Sequence, residues 1–205
     1  MTKLEEHLND KQRIVFAGTS GCPLLAGITA HVLRFFKRKF DFVKGTEIIQ
    51  QDPHAAMVLI DAGEEKSADG TPLFLKLQHH FGVICGIQYH KDNGYGSEDE
   101  YLRLYDQFAD ATPKGGLLAY SENDPVTGVL CNKERADVAY IPFKHPVHIE
   151  ENGVNYLITS HKDRIKINLK NNLDLPYYSG AKEILKKLGI TSDQFYQAIT
   201  QFQPS

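Results

Sequence analysis

What this chain lacks excludes several large classes of protein. It has only three cysteines, Cys22, Cys85 and Cys131, an odd number at wide spacing. Neither a disulfide framework nor a paired zinc site follows from that spacing, and the thiols fit a reducing compartment. No window approaches the roughly 20 apolar residues of a membrane span, and the N-terminal Met1-Thr2-Lys3-Leu4-Glu5-Glu6 has no apolar signal core. A cytoplasmic location without a membrane partner is therefore expected. The formal net charge is −3, with acids and bases interspersed. That leaves no basic stripe for nucleic acid and no polybasic patch for lipid. His79-His80 and His145-Pro146-Val147-His148 lack both partner cysteines and the His-Glu-x-x-His spacing of a metal-binding helix. No linker interrupts the chain, and 205 residues with 41% hydrophobic content can bury a full core. One domain over residues 13–205 is expected, preceded by a polar tail or short helix over residues 1–12.

What is present begins with Arg13 to Arg34. Ile14-Val15-Phe16 is a short apolar run of strand type, Gly18 and Gly21 bracket a tight turn, and Leu24, Ile28, Val32 and Phe35 recur at helical spacing. Strand, glycine loop and helix follow in that order, with Pro23 placed at the first helical position, where its missing N–H costs nothing. A junction of this kind presents backbone N–H groups and the positive end of a helix dipole, which suits an anion.

The rest of the chain continues as α/β. Asp41-Phe42-Val43-Lys44 reads as a short strand. Ala55 to Ile60 and Phe81 to Ile87 are continuous apolar runs of the kind found in parallel strands covered on both faces. Ser97 and Glu100 form a capping box opening a helix with Tyr101, Leu104, Tyr105 and Phe108 on one face, read as core. Gly116 to Tyr120 is a further strand. From Ala136 the pattern changes to short alternating runs. Val147-His148-Ile149, the Asn152-Gly153 turn and Val154 to Thr159 predict a hairpin, and Ile165 to Leu169 a further edge strand. Helices are expected from Ala181 to Leu188 and, capped by Thr191 and Gln194, across Phe195 to Phe202.

Gly18-Thr19-Ser20-Gly21, followed by a helix carrying Ala30-His31-Val32-Leu33, resembles the phosphate loop of the Mur ligases, ATP-dependent enzymes that add amino acids to muramic acid peptides. Within that family the likeness is to UDP-N-acetylmuramate:L-alanine ligases and murein peptide ligases. It runs from about Arg13 to Phe202 in consistent order and corresponds to the central ATPase domain, without the family's N- and C-terminal domains. The resemblance implies a P-loop-like three-layer α/β domain, with a mainly parallel sheet flanked by helices and a small antiparallel hairpin patch. It implies ATP and Mg²⁺ as cofactors and Gly18, Thr19, Ser20, Gly21 and Cys22 as a vestigial nucleotide loop. By the same likeness Asp61 and His90 fall at metal positions, although an ungapped match puts Lys91 where a one-residue slip puts His90. Asn172 and Asp124 fall on the adenine side.

Where the family has Gly-Lys-Thr, this chain has Gly21-Cys22-Pro23. The lysine would hold the β- and γ-phosphates and the next hydroxyl would sit on Mg²⁺, and neither Cys22 nor Pro23 can do so. Removing even one such electrostatic donor costs roughly 10²–10³ in rate. The expectation is a non-catalytic binding or scaffolding module related to the peptidoglycan precursor ligases, with a protein partner or a small anionic ligand. The alternative is a domain that retains weak nucleotide or anion binding. A third reading gives Cys22 a thiolate role at the helix N-terminus, but Ile28 stands where a Cys-x5-Arg site needs arginine.

Overall fold

The computed structural model describes residues 3–131, 133 and 135–204. At the centre of its main sheet, β1 (Gln12–Ala17) lies between β4 (Met57–Gly63) and β5 (Phe81–Ile84). β2 (Asp41–Lys44) and β3 (Glu47–Gln50) extend the sheet beyond β4, and β6 (Leu117–Ser121) and β7 (Ala139–Phe143) extend it beyond β5. All neighbouring pairs are parallel except β2 with β3.

Successive side chains of a strand point to opposite faces, so a strand buried on both faces reads as an unbroken apolar run. Ile14 and Phe16 of β1, Leu59 of β4 and Val83 of β5 pack on one face, under α2 (Cys22–Phe35), α6 (Leu175–Lys187) and α7 (Ser192–Ile199). Their neighbours Val15, Ala17, Val58, Ile60 and Ile84 pack on the other, under α1 (Lys3–Leu8), α3 (Leu73–Lys76), α4 (Glu98–Asp110) and α5 (Pro125–Cys131). The result is the expected three-layer α/β fold. The fully buried Asp41 ties α1 to the sheet, contacting Lys11, His7 at 3.0 Å and the backbone N–H of Asp52 at 2.8 Å. No helix among the described residues is long and apolar enough to cross a membrane.

The antiparallel patch is β8 (His148–Glu151), β9 (Val154–Ile158) and β10 (Arg164–Ile167), with β9 in the middle. Asn152 and Gly153 take φ of 52° and 75°, the positive pair that the Asn-Gly turn predicted. Leu157 and Ile167 anchor this patch to the core under α2 and α6.

Several boundaries differ from the sequence reading. β7 joins the main sheet parallel to β6 rather than the antiparallel patch, because Ile141 and Phe143 are buried in the core shared with α6. Pro142, which lacks an N–H, is tolerated there because β7 is an edge strand. β5 stops at Ile84, three residues early, where the backbone turns to the loops described below. α6 starts at Leu175 rather than Ala181. Pro176 in its first turn costs no hydrogen bond, but proline and Gly180 obscure the helical period. Ser97 caps α4 by accepting from the N–H of Glu100 at 3.1 Å, while Glu100 reaches one residue further back than a capping box, to the N–H of Gly96 at 2.9 Å. Thr191 and Gln194 do form the reciprocal box at α7. β3 and α3, four residues each, carry too little period to be read from sequence.

Candidate functional site

β1 leads into α2 on one face of the sheet, whereas β4 leads through α3 to β5 on the other. A crevice at the carboxyl ends of the strands results, the usual ligand position in open α/β sheets. The segment Gly18 to Gly21 runs along it. The Gly18 N–H donates to the Gly63 carbonyl at 3.3 Å and the Thr19 N–H to the Gly86 carbonyl at 2.9 Å, so the loop is pinned to the exits of both flanking strands. A Cβ on Gly18 would lie 2.8 Å from the Gly86 oxygen. Gly21 is the N-cap of α2 at φ 79°, and a Cβ there would fall 1.9 Å from the ring Cζ of Tyr177. The aromatic ring of α6 therefore lies directly against the loop, with its hydroxyl 3.4 Å from Ser20 Oγ. Cys22, not Pro23, is the first helical residue, and Pro23 is the second. Among the described residues, no acceptor takes the backbone N–H of Ser20, Gly21 or Cys22.

Cys22 is buried, its Sγ directed at the Gly18 carbonyl at 3.7 Å. Burial first, then the Cys85 thiol and the negative charge of Asp61 and Glu64, push the Cys22 thiol well above its ordinary range. Desolvation outweighs the helix dipole here, which removes the physical basis for a reactive thiolate.

Two carboxylates at the end of β4 face the loop from its other side. Asp61 is 6% exposed, and desolvation pushes its carboxyl up to about 6, with Lys44 opposing and Glu65 adding to the rise. Glu64 Oε1 accepts from the hydroxyls of Tyr101, of Tyr105 at 2.9 Å and of Thr19 at 3.4 Å. Burial and the Glu64 bond raise Tyr101 to about 12, and burial raises Tyr105. Thr19 Oγ1 also accepts from the Gln88 N–H at 2.9 Å. The sequence reading placed Tyr101 and Tyr105 in the core and missed this cluster. Both rings are buried, but a buried tyrosine hydroxyl needs a partner, and two tyrosines four residues apart on an apolar helix face were the available signal.

The remaining predicted positions are dispersed. Asp124 caps α5, its Oδ1 accepting from the Val126 N–H and its Oδ2 from the Thr127 hydroxyl and the Ile87 N–H, at 2.9, 2.7 and 2.9 Å. Asn172 is exposed on a short turn. Its neighbour Asn171, with Leu24, Lys170, Tyr177 and Phe202, lines a cavity of about 460 Å³ beside Ser20 and Gly21. His90 is exposed. Among the described residues no set of three or more His, Cys, Asp or Glu side chains is arranged to hold a metal ion, so Asp61 and His90 belong to no such set.

This arrangement does not fit a magnesium triphosphate. The loop supplies no cation, since a buried thiol and a proline occupy the two key positions, and Glu64 Oε1 already accepts from protein hydroxyls. Asp61, Glu64 and Glu65 put negative charge where further negative charge would have to enter, with Lys44 the cation that acts on Asp61.

No family model matches the sequence. Solved structures do share the fold. A UDP-N-acetylmuramate:L-alanyl-gamma-D-glutamyl-meso-diaminopimelate ligase (MPL) from Neisseria meningitides superposes with a TM-score of 0.80 at 14% identity, over 98% of this chain and 69% of that one. The MurF ligase of Thermotoga maritima in complex with ADP gives 0.75 at 13% identity, over 98% and 51%. The UDP-N-acetylmuramate-alanine ligase MurC from the same organism gives 0.70 at 12%, over 97% and 46%. The chain thus spans about half the length of the MurF and MurC structures. What it shares with these Mur ligases is the architecture of one domain.

Proposed function

We propose that residues 13–205 form a Mur-ligase-like domain that does not transfer phosphoryl groups and acts in the cytoplasm as a binding or scaffolding module beside peptidoglycan precursor ligation. The observation that carries this reading is the content of the loop: Tyr177 against Gly21 and the buried Cys22 thiol where a ligase places its lysine. Phosphoryl transfer is accelerated mainly by cations placed around the migrating group. A chain without the loop lysine and the magnesium hydroxyl loses at least two such contributions together. A protein partner then supplies the function. Phosphate release from ATP in the presence of Mg²⁺ tests this directly, with no turnover above buffer expected. Stoichiometric, repeated turnover by the isolated chain would reject the reading.

A second reading rests on the N–H groups of Ser20, Gly21 and Cys22, which meet no acceptor among the described residues, and on the adjoining cavity. In it, the loop retains weak, magnesium-independent binding of a small anion or a nucleotide. Titration with inorganic phosphate in the presence of a chelator gives heat on this reading and none if the loop is purely structural.

A further inference from the structure

A larger cavity lies away from the glycine loop. The antiparallel patch meets the core through Leu157 and Ile167, and between the turn that joins β9 to β10 and the helices α6 and α7 it leaves a groove of about 990 Å³. Tyr177 of α6 lines the loop cavity, Ser179 and Lys182 of the same helix line the groove, and the two share no lining residue. The groove lies at the upper end of the roughly 300–1,000 Å³ usual for small-molecule sites. Leu157, Ile165 and the ring of Tyr196 give it apolar surface, and Lys182 and Lys186, one turn apart on α6, give it positive charge.

The two lysines are not equally engaged. Both carboxylate oxygens of Glu183 take Lys186, at 2.9 and 3.0 Å, but the nearer stands 3.8 Å from the Lys182 ammonium. The Lys182 side chain is only 23% exposed, and its other polar neighbour among the described residues is the Tyr196 hydroxyl at 3.4 Å. An ammonium bonded to a carboxylate normally stands about 2.7–2.9 Å from it, so a largely buried cation with three donors is held here by long contacts alone. The carboxylates lining the groove, Asp163 and Asp193, belong to exposed residues, and Asp163 already accepts from the Thr159 hydroxyl at 3.2 Å. We propose that the groove binds a small organic anion with a flat apolar body, an aromatic carboxylate, whose anionic group meets Lys182 while its ring lies against Tyr196 and Ile165. An inorganic anion would leave the apolar wall uncovered, and a neutral ring would bury the ammonium further without a partner. The inference is independent of whether the glycine loop takes a nucleotide.

The test titrates the ¹⁵N-labelled full chain with 2-naphthoate and with neutral 2-naphthamide, reading position and affinity from amide chemical shifts. Naphthoate should give saturable shifts at Ser160, Ser179, Lys182 and Tyr196, with a dissociation constant about tenfold below that of naphthamide, the low end for a hydrogen bond to a charged group. Lys182→Met should abolish that preference and leave naphthamide binding unchanged, and Lys182→Arg should retain it. Lys186→Met, which removes a cation already engaged by Glu183, should weaken naphthoate by under about threefold. If Lys182→Met does not fold, the comparison of the two ligands on the wild-type chain decides. Shifts that do not saturate, shifts centred on Gly21 and Tyr177, equal constants for the two ligands, or equal weakening of both by Lys182→Met would overturn the proposal.

Discussion

Asp61 and Glu64 stand three residues apart at the end of one strand, and the protein treats them in opposite ways. Glu64 collects three hydroxyls, from the loop at Thr19 and from α4 at Tyr101 and Tyr105. Asp61 is nearly enclosed and its carboxylate makes no hydrogen bond or ion pair among the described residues; Lys44, its register neighbour on β2, acts on it only through space. One carboxylate has protein donors built around it, and the other is merely desolvated. Glu64 is thus tied into the fold through its hydroxyl donors, and Asp61 is not.

Breaking the Glu64 cluster should have the largest effect. Glu64→Ala leaves two buried tyrosine hydroxyls without their acceptor, a loss of about 3 kcal/mol, and the melting temperature should fall by roughly 6–12 °C. Glu64→Gln keeps an acceptor and should recover part of that loss. The same substitution made at Asp61 should go the other way. A carboxyl raised from 3.8 to about 6 in the folded state binds more protons folded than unfolded between those values. Stability therefore falls as pH rises through that window and stays reduced above it. Asp61→Asn should be neutral near pH 3 and stabilising by about 1–3 kcal/mol at pH 8, read from denaturant midpoints at the two pH values. A flat difference across that range would mean that the two carboxylates are not distinct in the way described. Tyr105→Phe removes one bond to a charged group and should cost about 1.5–2 kcal/mol. Tyr177→Phe loses only the long 3.4 Å contact with Ser20 and should cost under about 0.5 kcal/mol, since the ring, not the hydroxyl, fills the loop.

The frame was legible where a single physical cause dominates. The unbroken apolar runs at residues 14–16 and 55–60 read as strands, the second as one covered on both faces, and Asn152-Gly153 as a tight hairpin turn. β7 was not legible, because Ala139 to Phe143 alternates like an edge strand and nothing local says which sheet it joins. The loop was legible as a shape through Gly18 and Gly21, and its missing cation through Cys22 and Pro23. Its filling was not. Tyr177 lies more than 150 residues downstream of Gly21 in sequence, inside a helix whose start is hidden by Pro176. The Tyr101–Tyr105–Glu64 cluster was hidden for a related reason: helical period reports which face is buried, not where a hydroxyl at the end of a buried ring emerges.

The central claim is that the glycine loop persists as architecture while its capacity for a magnesium triphosphate has gone. Calorimetric titration of the chain with ATP, with and without Mg²⁺, tests it most directly, alongside the Cys22→Lys, Pro23→Thr double variant. The account predicts no magnesium-dependent heat for the wild-type chain and a gain of such heat when the cation and hydroxyl are restored. Tight, magnesium-dependent binding of ATP by the wild-type chain would contradict it.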